Sequence, residues 1–248
     1  MIVTGGASGL GEACIRLFFE NGANTAILDF NAERGGQIAA ELGDAVIFCK
    51  TDVTDAVSVQ AAVNRVVETF GAVHGVVNCA GVGSPMKVLG KKGPLAMDQF
   101  DKVVRINLTG TMTVLSRAAE QMVKNAPNED DERGVVINTA SVAAFEGQIG
   151  QAAYSASKAG VVGMTLPIAR EFADYGIRVM TIAPGLFETP MLAGLPEEVK
   201  ASLVRMIPFP KRLGRPEEFA RLALHIVENP ILNGETIRLD SAIRMGAR

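Results

Sequence analysis

Seven short apolar runs, at residues 1–4, 24–29, 45–50, 73–79, 135–139, 178–183 and 235–239, are set among stretches of helical periodicity. The helical stretches fall at 10–21, 32–42, 55–70, 98–124, 151–175, 196–205 and 216–228. Strands alternating with helices predict a parallel sheet, because parallel neighbours need a long crossover and a helix supplies it. Right-handed crossovers then put helices on both faces. The expected fold class is α/β: a doubly wound parallel sheet of about seven strands. No repeat, linker or low-complexity tract divides residues 1–248, so one domain is expected. In such a sheet a ligand binds outside the carboxyl ends of the strands, where the strand order reverses.

Chemistry-bearing residues gather at those ends. The first strand runs into Gly5-Gly6-Ala7-Ser8-Gly9-Leu10-Gly11, a glycine turn that opens a helix. Glycines let a backbone approach a phosphate, and the helix start offers unpaired N–H groups and a positive dipole end. The spacing is Gly-x-x-x-Gly-x-Gly rather than the commoner Gly-x-Gly-x-x-Gly, and a bare turn needs no ligand. The second strand ends in Asp29, 18 residues after Gly11, close to the distance at which an acid binds the adenosine ribose. A carboxylate there accepts from the 2′-hydroxyl and repels a 2′-phosphate, so NAD is expected over NADP. Arg34 stands close enough to bear on that choice, and the alternative role for Asp29 is the cap of the next helix. Asp52-Val53 follow the third strand, where they would meet adenine. Asn78-Cys79-Ala80-Gly81 end the fourth in small residues, and Pro184-Gly185 end the sixth.

Composition excludes other classes. The net charge is −3 with 21% charged residues, which gives nucleic acid no basic surface. No apolar stretch reaches the ~20 residues of a membrane helix. Cys14, Cys49 and Cys79 are scattered, His74 and His225 lie far apart, and no metal site is expected. Three unpaired cysteines, read as small buried hydrophobes, suit a reducing compartment and a cytoplasmic location. The glycine turn begins at Gly5, which leaves no room for a leader in the chain as given.

Tyr154 and Lys158 are four residues apart, so a helix there presents both on one face. A free phenol titrates near pH ~10 and is a poor proton carrier at neutrality. A neighbouring ammonium favours the phenolate and brings the group into range for acid–base work. Ser141, at the end of the fifth strand, can hold a substrate oxygen beside it. Taken without function, Tyr154 is a half-buried residue and Lys158 a solvated one. Asn107 interrupts the long helix at 98–124, where Asn is a mediocre helix former. Residues 82–97 form a loop carrying Lys87, Lys91 and Lys92, suited to an anionic substrate. Residues 186–210, rich in Leu, Met, Phe and Pro, suit a substrate lid, and a kink is expected at Pro167 in the Tyr154 helix.

Thr4-Gly5-x-x-x-Gly9-x-Gly11, Asn78-x-Ala80-Gly81, Asn107, Ser141, Tyr154-x-x-x-Lys158 and Pro184-Gly185 together resemble the classical short-chain dehydrogenase/reductase family, over nearly the whole chain and in family order. Residues 138–147, 163–170, 182–187 and 233–240 resemble its type II 3-hydroxyacyl-CoA dehydrogenases, and Lys91-Lys92-Gly93 resembles their insertion. One departure is that only Met1-Ile2-Val3 precede Thr4, fewer than the family's usual first strand. The resemblance implies a Rossmann-type fold, NAD as cofactor and a 3-hydroxyacyl-CoA as substrate, short-chain or 2-methyl-branched. It also implies places in fatty acid metabolism and branched-chain amino acid degradation, and a homotetramer built through the helices that carry Asn107 and Tyr154. A hydroxysteroid or other secondary alcohol is the alternative substrate, and a binding subunit without turnover the alternative class.

The same resemblance assigns roles. Tyr154 is the general base, Lys158 lowers its pKa and binds the nicotinamide ribose, Ser141 holds the substrate oxygen, and Asn107 binds a relay water. Gly5, Ser8, Gly9, Leu10 and Gly11 hold the pyrophosphate, and Asp29, Asp52 and Val53 the adenosine. Asn78, Ala80, Gly81, Pro184, Gly185, Phe187 and Thr189 complete the cofactor site. Gln148, Lys91, Lys92 and Leu192 join Ser141 and Tyr154 at the substrate.

Overall fold

The computed structural model describes residues 1–91, 93–194 and 196–247. In chain order the elements are β1 (Ile2–Thr4), α1 (Gly9–Glu20), β2 (Thr25–Asp29), α2 (Ala32–Leu42), β3 (Val46–Lys50), α3 (Ala56–Phe70) and β4 (Gly75–Asn78). A small antiparallel hairpin, β5 (Leu89–Gly90) and β6 (Gly93–Pro94), follows. Then come α4 (Met97–Val104), a π turn (Arg105–Thr109), α5 (Gly110–Met122), β7 (Gly134–Thr139), α6 (Ala152–Phe172), β8 (Ile177–Pro184), α7 (Pro190–Ala193), α8 (Glu197–Arg205), α9 (Pro216–Glu228) and β9 (Thr236–Leu239).

Seven strands form one parallel sheet in the order β3-β2-β1-β4-β7-β8-β9. The order reverses between β1 and β4, so the crevice expected for a ligand opens at Thr4 and Asn78. β1 has only three residues, yet it is paired on both sides, with Val3 between Ile27 and Val77. Two cores cover the sheet. Val59, Val63, Val114, Leu115, Met122 and Ile168 pack one face from α3, α5 and α6. Ile15, Phe18, Ile38, Phe219 and Ile226 pack the other from α1, α2 and α9.

Local chemistry sets the element ends. Asn31 caps α2 by accepting the Arg34 N–H at 3.1 Å, and Asp55 caps α3 by accepting from Val57 at 2.9 Å. The cap of α2 is therefore Asn31 and not Asp29. The long helix expected at 98–124 holds its course but contains the π turn, centred on Asn107. The helix expected at 151–175 ends in a 3₁₀ turn at Ala173–Tyr175, and Pro167 lies inside α6. Among the described residues no helix is long and apolar enough to cross a membrane, and no cluster of His, Cys, Asp and Glu could hold a metal ion.

Candidate active site

The glycine turn is tight because its glycines touch backbone. Gly5 has φ +63°, and a Cβ on it would lie 2.9 Å from the Ala80 nitrogen. A Cβ on Gly11 would fall on the Gly5 carbonyl oxygen. Side chains at either position would push the β1 end away from β4 or from α1. Thr4 Oγ1 accepts the Ala80 N–H at 3.1 Å and ties the two strand ends together. Ser8 precedes α1, is exposed, and makes no capping bond with its hydroxyl. Ser8 and the first-turn N–H groups of Gly9, Leu10 and Gly11 thus form an open donor set of the kind that holds a phosphate. Thr189 and Pro190 lie over Gly9, so the segment after β8 closes on this turn.

Asp29 sits at the rim of the same crevice. Its Oδ2 accepts the Ala7 N–H at 3.0 Å and its Oδ1 the Asn31 N–H at 2.9 Å. It stays partly exposed, so further lone pairs face outward for ribose hydroxyls. Arg34 is engaged elsewhere: its Nη2 donates to Glu12 Oε1 at 2.7 Å. Asp52 is exposed and accepts from the Thr54 N–H and hydroxyl, while Val53 is buried against Gly110. The glycine cradle, the free Ser8 hydroxyl and the outward face of Asp29 fit a dinucleotide.

Ser141, Tyr154 and Lys158 converge at the ends of β7 and β8. Ser141 Oγ accepts the Ala143 N–H at 3.1 Å, capping a 3₁₀ turn at Val142–Ala144. With an acceptor position used, its one hydrogen is left to donate, and it serves the Tyr154 oxygen here. Tyr154 is half-buried; burial pushes its phenol above the ordinary value, and a hydrogen bond with Ser141 pulls it back. Lys158 Nζ lies 5.9 Å from the Tyr154 ring centre and donates to the Thr139 carbonyl at 2.7 Å. Burial lowers Lys158 to about 8, with the Cys79 sulfur opposing the shift. The expectation that Lys158 lowers the Tyr154 pKa is thus not met in the protein alone, where the opposing influence on the phenol is Ser141. At neutral pH an amine lowered to about 8 still carries its proton for the most part, and the ammonium is turned to the Thr139 carbonyl.

The Asn107 side chain is fully buried and engaged. Its Oδ1 accepts the Val82 N–H at 2.8 Å, and its Nδ2 donates to the Val82 carbonyl at 3.0 Å and to Ser157 Oγ at 3.1 Å. Ser157 in turn donates to the Tyr154 carbonyl at 2.7 Å. Asn107 therefore joins the loop after β4 to the helix of Tyr154. Both amide protons are spent in doing so, which leaves only acceptor positions for a water. A π turn at this residue fits the frequent use of such turns at functional sites. Gly81 lies between the two groups: a Cβ there would stand 3.2 Å from Asn107 Oδ1 and 3.5 Å from Lys158 Nζ.

The remaining residues divide. Ala80, Gly81, Pro184 and Gly185 stand at the strand ends, with Gly185 pressed against Asp240. The Asn78 side chain does not reach the crevice. It is 2% exposed and donates to Asn138 at 3.0 Å, its partner in β7. Its parity in β4 turns it to the α5–α6 face, which corrects its placement at the cofactor. Phe187 turns its ring into the core against Gly214, and is 7% exposed. Gln148 and Leu192 are half-buried, in the segment after Ser141 and on α7. Lys91 is exposed on the hairpin; Lys92 lies outside the described residues. The hairpin's base is fixed beside this segment, where the Met86 N–H donates to the Gly150 carbonyl at 2.6 Å.

Sequence reasoning missed Thr139, Ser157 and Val82, whose parts are played by two carbonyls, an N–H and a hydroxyl bonded to main chain. It also read Cys79 as a simple hydrophobe. Its sulfur accepts from Thr139 Oγ1 at 3.6 Å, and a hydrogen bond from Cys14, then Thr139 and the Lys158 charge, draw its thiol below the ordinary value. Position between Asn78 and Ala80 was the available signal.

The family described as short chain dehydrogenase matches residues 1–200. A 3-hydroxyacyl-CoA dehydrogenase type-2 of Drosophila melanogaster is 52% identical over 246 residues, covering 98% of this chain and 96% of the relative. The crystal structure of a 3-hydroxyacyl-CoA dehydrogenase type-2 from Mycobacterium avium superposes with a TM-score of 0.94 at 42% identity, over 100% of this chain and 96% of that one. A 3-ketoacyl-(acyl-carrier-protein) reductase from Brucella melitensis, crystallised with NADH, superposes with a TM-score of 0.86 at 27% identity, over 98% and 97%. With the Ser141–Tyr154–Lys158 cluster at the strand ends and the glycine cradle across the crevice, these likenesses establish that the chain belongs to the short-chain dehydrogenase family, oxidoreductases that work with a nicotinamide dinucleotide.

Proposed function

We propose that the protein interconverts a 3-hydroxyacyl-CoA and a 3-ketoacyl-CoA, short-chain or 2-methyl-branched, with NAD rather than NADP. The observation that carries the reading is the convergence of Ser141, Tyr154 and Lys158 in a chain 52% identical to a protein of that activity. The bound nicotinamide supplies the two-electron acceptor or donor. The chain supplies the rest. Ser141 turns its hydrogen from Tyr154 to the substrate oxygen and fixes that oxygen beside the Tyr154 hydroxyl. Tyr154 takes the alcohol proton in oxidation and returns it in reduction. Lys158 is the residue that would reach the nicotinamide ribose. The second lone pair of Asn107 Oδ1 is what remains to hold a relay water near Lys158, since the Asn107 main-chain carbonyl already accepts the Thr111 hydroxyl at 2.8 Å.

Support for NAD comes from Asp29 at the crevice rim and from the engagement of Arg34 by Glu12. Support for an acyl-CoA comes from the hairpin. Lys91 is exposed on its turn and Lys87 just before it, and Met86 ties it to the segment behind Ser141, so an anionic CoA entering there meets positive charge. The segment 186–210 is the proposed lid. We further propose a homotetramer. The groove between α5 and α6 carries exposed Met112, Val123 and Tyr175, apolar surface suited to a second copy. The free cysteines suit a reducing location, the cytoplasm. The proposed metabolic places are fatty acid metabolism and branched-chain amino acid degradation.

The test is NADH consumption by the purified protein with acetoacetyl-CoA, beside free acetoacetate and a ketosteroid. Rapid turnover of the thioester alone is expected. Turnover of the ketosteroid alone would overturn the substrate and leave the family.

A further inference from the structure

We infer that Glu12 is a second determinant of cofactor choice, because it holds away the Arg34 guanidinium that would otherwise receive a 2′-phosphate beside Asp29. The inference rests on the NAD reading above and adds to it a residue that touches neither substrate nor cofactor.

Arg34 is close to the ribose rim by construction. Asp29 Oδ1 accepts the Asn31 N–H, and Asn31 Oδ1 accepts the Arg34 N–H, so the Arg34 backbone is two hydrogen bonds from the carboxylate. In dinucleotide sites an acid at the end of β2 takes the 2′-hydroxyl, and a nearby Arg accommodates a 2′-phosphate. This chain has both, and the arginine is diverted. Its Nη2 donates to Glu12 Oε1 at 2.7 Å, on the first turn of α1. The same oxygen receives Arg16 Nε at 3.0 Å and Nη2 at 2.9 Å. Arg16 is held in turn by both oxygens of Glu41, at 2.8 and 2.9 Å. Glu12 is thus wedged between two guanidinium groups, and its side chain is 18% exposed, against 44% for that of Arg34.

Helix electrostatics do not account for the arrangement. The dipole favours an acid in the first turn of α1, but it disfavours a cation in the first turn of α2, where Arg34 stands. Glu12 supplies the compensation. A second cation is at hand: Lys50 pairs in register with Asp29 and lies 5.6 Å over the exposed Phe30 ring. Selection against NADP therefore has two parts, repulsion by Asp29 and withdrawal of the nearest guanidinium by Glu12. Once Glu12 is neutral, Arg34 is free to make charge-assisted bonds to a phosphate at the rim.

The test is calorimetric titration of the apo protein with NAD and with NADP, for wild type, Glu12→Gln, Arg34→Ala and the double variant. Loss of the Glu12 charge also strengthens binding of the pyrophosphate, but equally for both dinucleotides, so the ratio of dissociation constants isolates Arg34. In Glu12→Gln the ratio is expected to move about tenfold toward NADP, or about 1.4 kcal/mol. The double variant is expected to return to the wild-type ratio, and Arg34→Ala alone to leave it unmoved. An unchanged ratio in Glu12→Gln, a shift that survives in the double variant, or a shift in Arg34→Ala alone would each overturn the inference. Tighter binding of NADP than NAD by wild type would overturn the NAD reading by itself, and the comparison of the single with the double variant would still decide the part of Glu12.

Discussion

Asn107 and Val82 bond to each other in both directions, side-chain oxygen to main-chain N–H at 2.8 Å and side-chain nitrogen to main-chain oxygen at 3.0 Å. A buried amide here replaces a β-ladder partner for the loop that leaves β4. The π turn between α4 and α5 carries Asn107, and Ser157 carries the contact on to the Tyr154 helix.

Asn107→Ala leaves both Val82 groups without a partner, and each such loss costs about 1–3 kcal/mol. The expected result is a melting temperature several degrees lower, together with turnover reduced roughly tenfold or more, about 1.4 kcal/mol in barrier. Thermal melts and steady-state rates check it. Unchanged stability would show that the contact is dispensable.

Lys158 is kept at a price in stability. Burial lowers it from 10.5 to about 8, so the folded state disfavours its charge. Between those values the unfolded chain binds more protons, and stability rises with pH. Below pH 8 the whole penalty is present, roughly 3 kcal/mol for a shift of this size, partly offset by the bond to Thr139. Lys158→Met is therefore expected to be more stable than wild type at pH 7 and inactive. The excess should shrink as pH rises through 8 and vanish above 10.5. Denaturant melts at several pH values decide it; a variant less stable than wild type at pH 7 contradicts the account.

Tyr154→Phe removes the proton carrier and keeps the ring. Turnover is expected to be lost while the NAD dissociation constant changes less than about threefold, since the cradle lies across the crevice. Because burial raises the phenol in the protein alone, alcohol oxidation by wild type should speed up toward alkaline pH. Residual turnover near the wild-type rate in the variant would remove Tyr154 from the chemistry.

Asp29→Ala deletes the acceptor at the ribose rim and frees the N–H groups of Ala7 and Asn31. Binding of NAD is expected to weaken, and NADP to gain relative to it, by roughly tenfold in the ratio. The ratio of dissociation constants is the measurement, and no change would deny Asp29 its role.

Gly11→Ala places a methyl on the Gly5 carbonyl oxygen. The turn must open, so dinucleotide affinity should fall by a factor of ten or more, about 1.4 kcal/mol, while the circular dichroism spectrum stays native. Full affinity would mean that the turn is not the cradle.

The sequence by itself determined the layer order of this protein. Alternating strands and helices leave few topologies, and both chain direction and right-handed crossover are local consequences of backbone chirality. It also determined which strand ends carry Gly5–Gly11, Asp29, Ser141 and the Tyr154–Lys158 pair, since those positions follow from counting along the chain. Only the tertiary structure decided what the side chains meet. Parity turned Asn78 to Asn138 and away from the crevice, since one step along a strand reverses the face. The π turn spent both protons of the Asn107 amide on Val82 and Ser157, and burial lowered the Lys158 pKa to about 8. Glu12 found Arg34 across 22 residues of chain. These outcomes depend on desolvation and on partners brought together by packing, and neither quantity is written in local spacing.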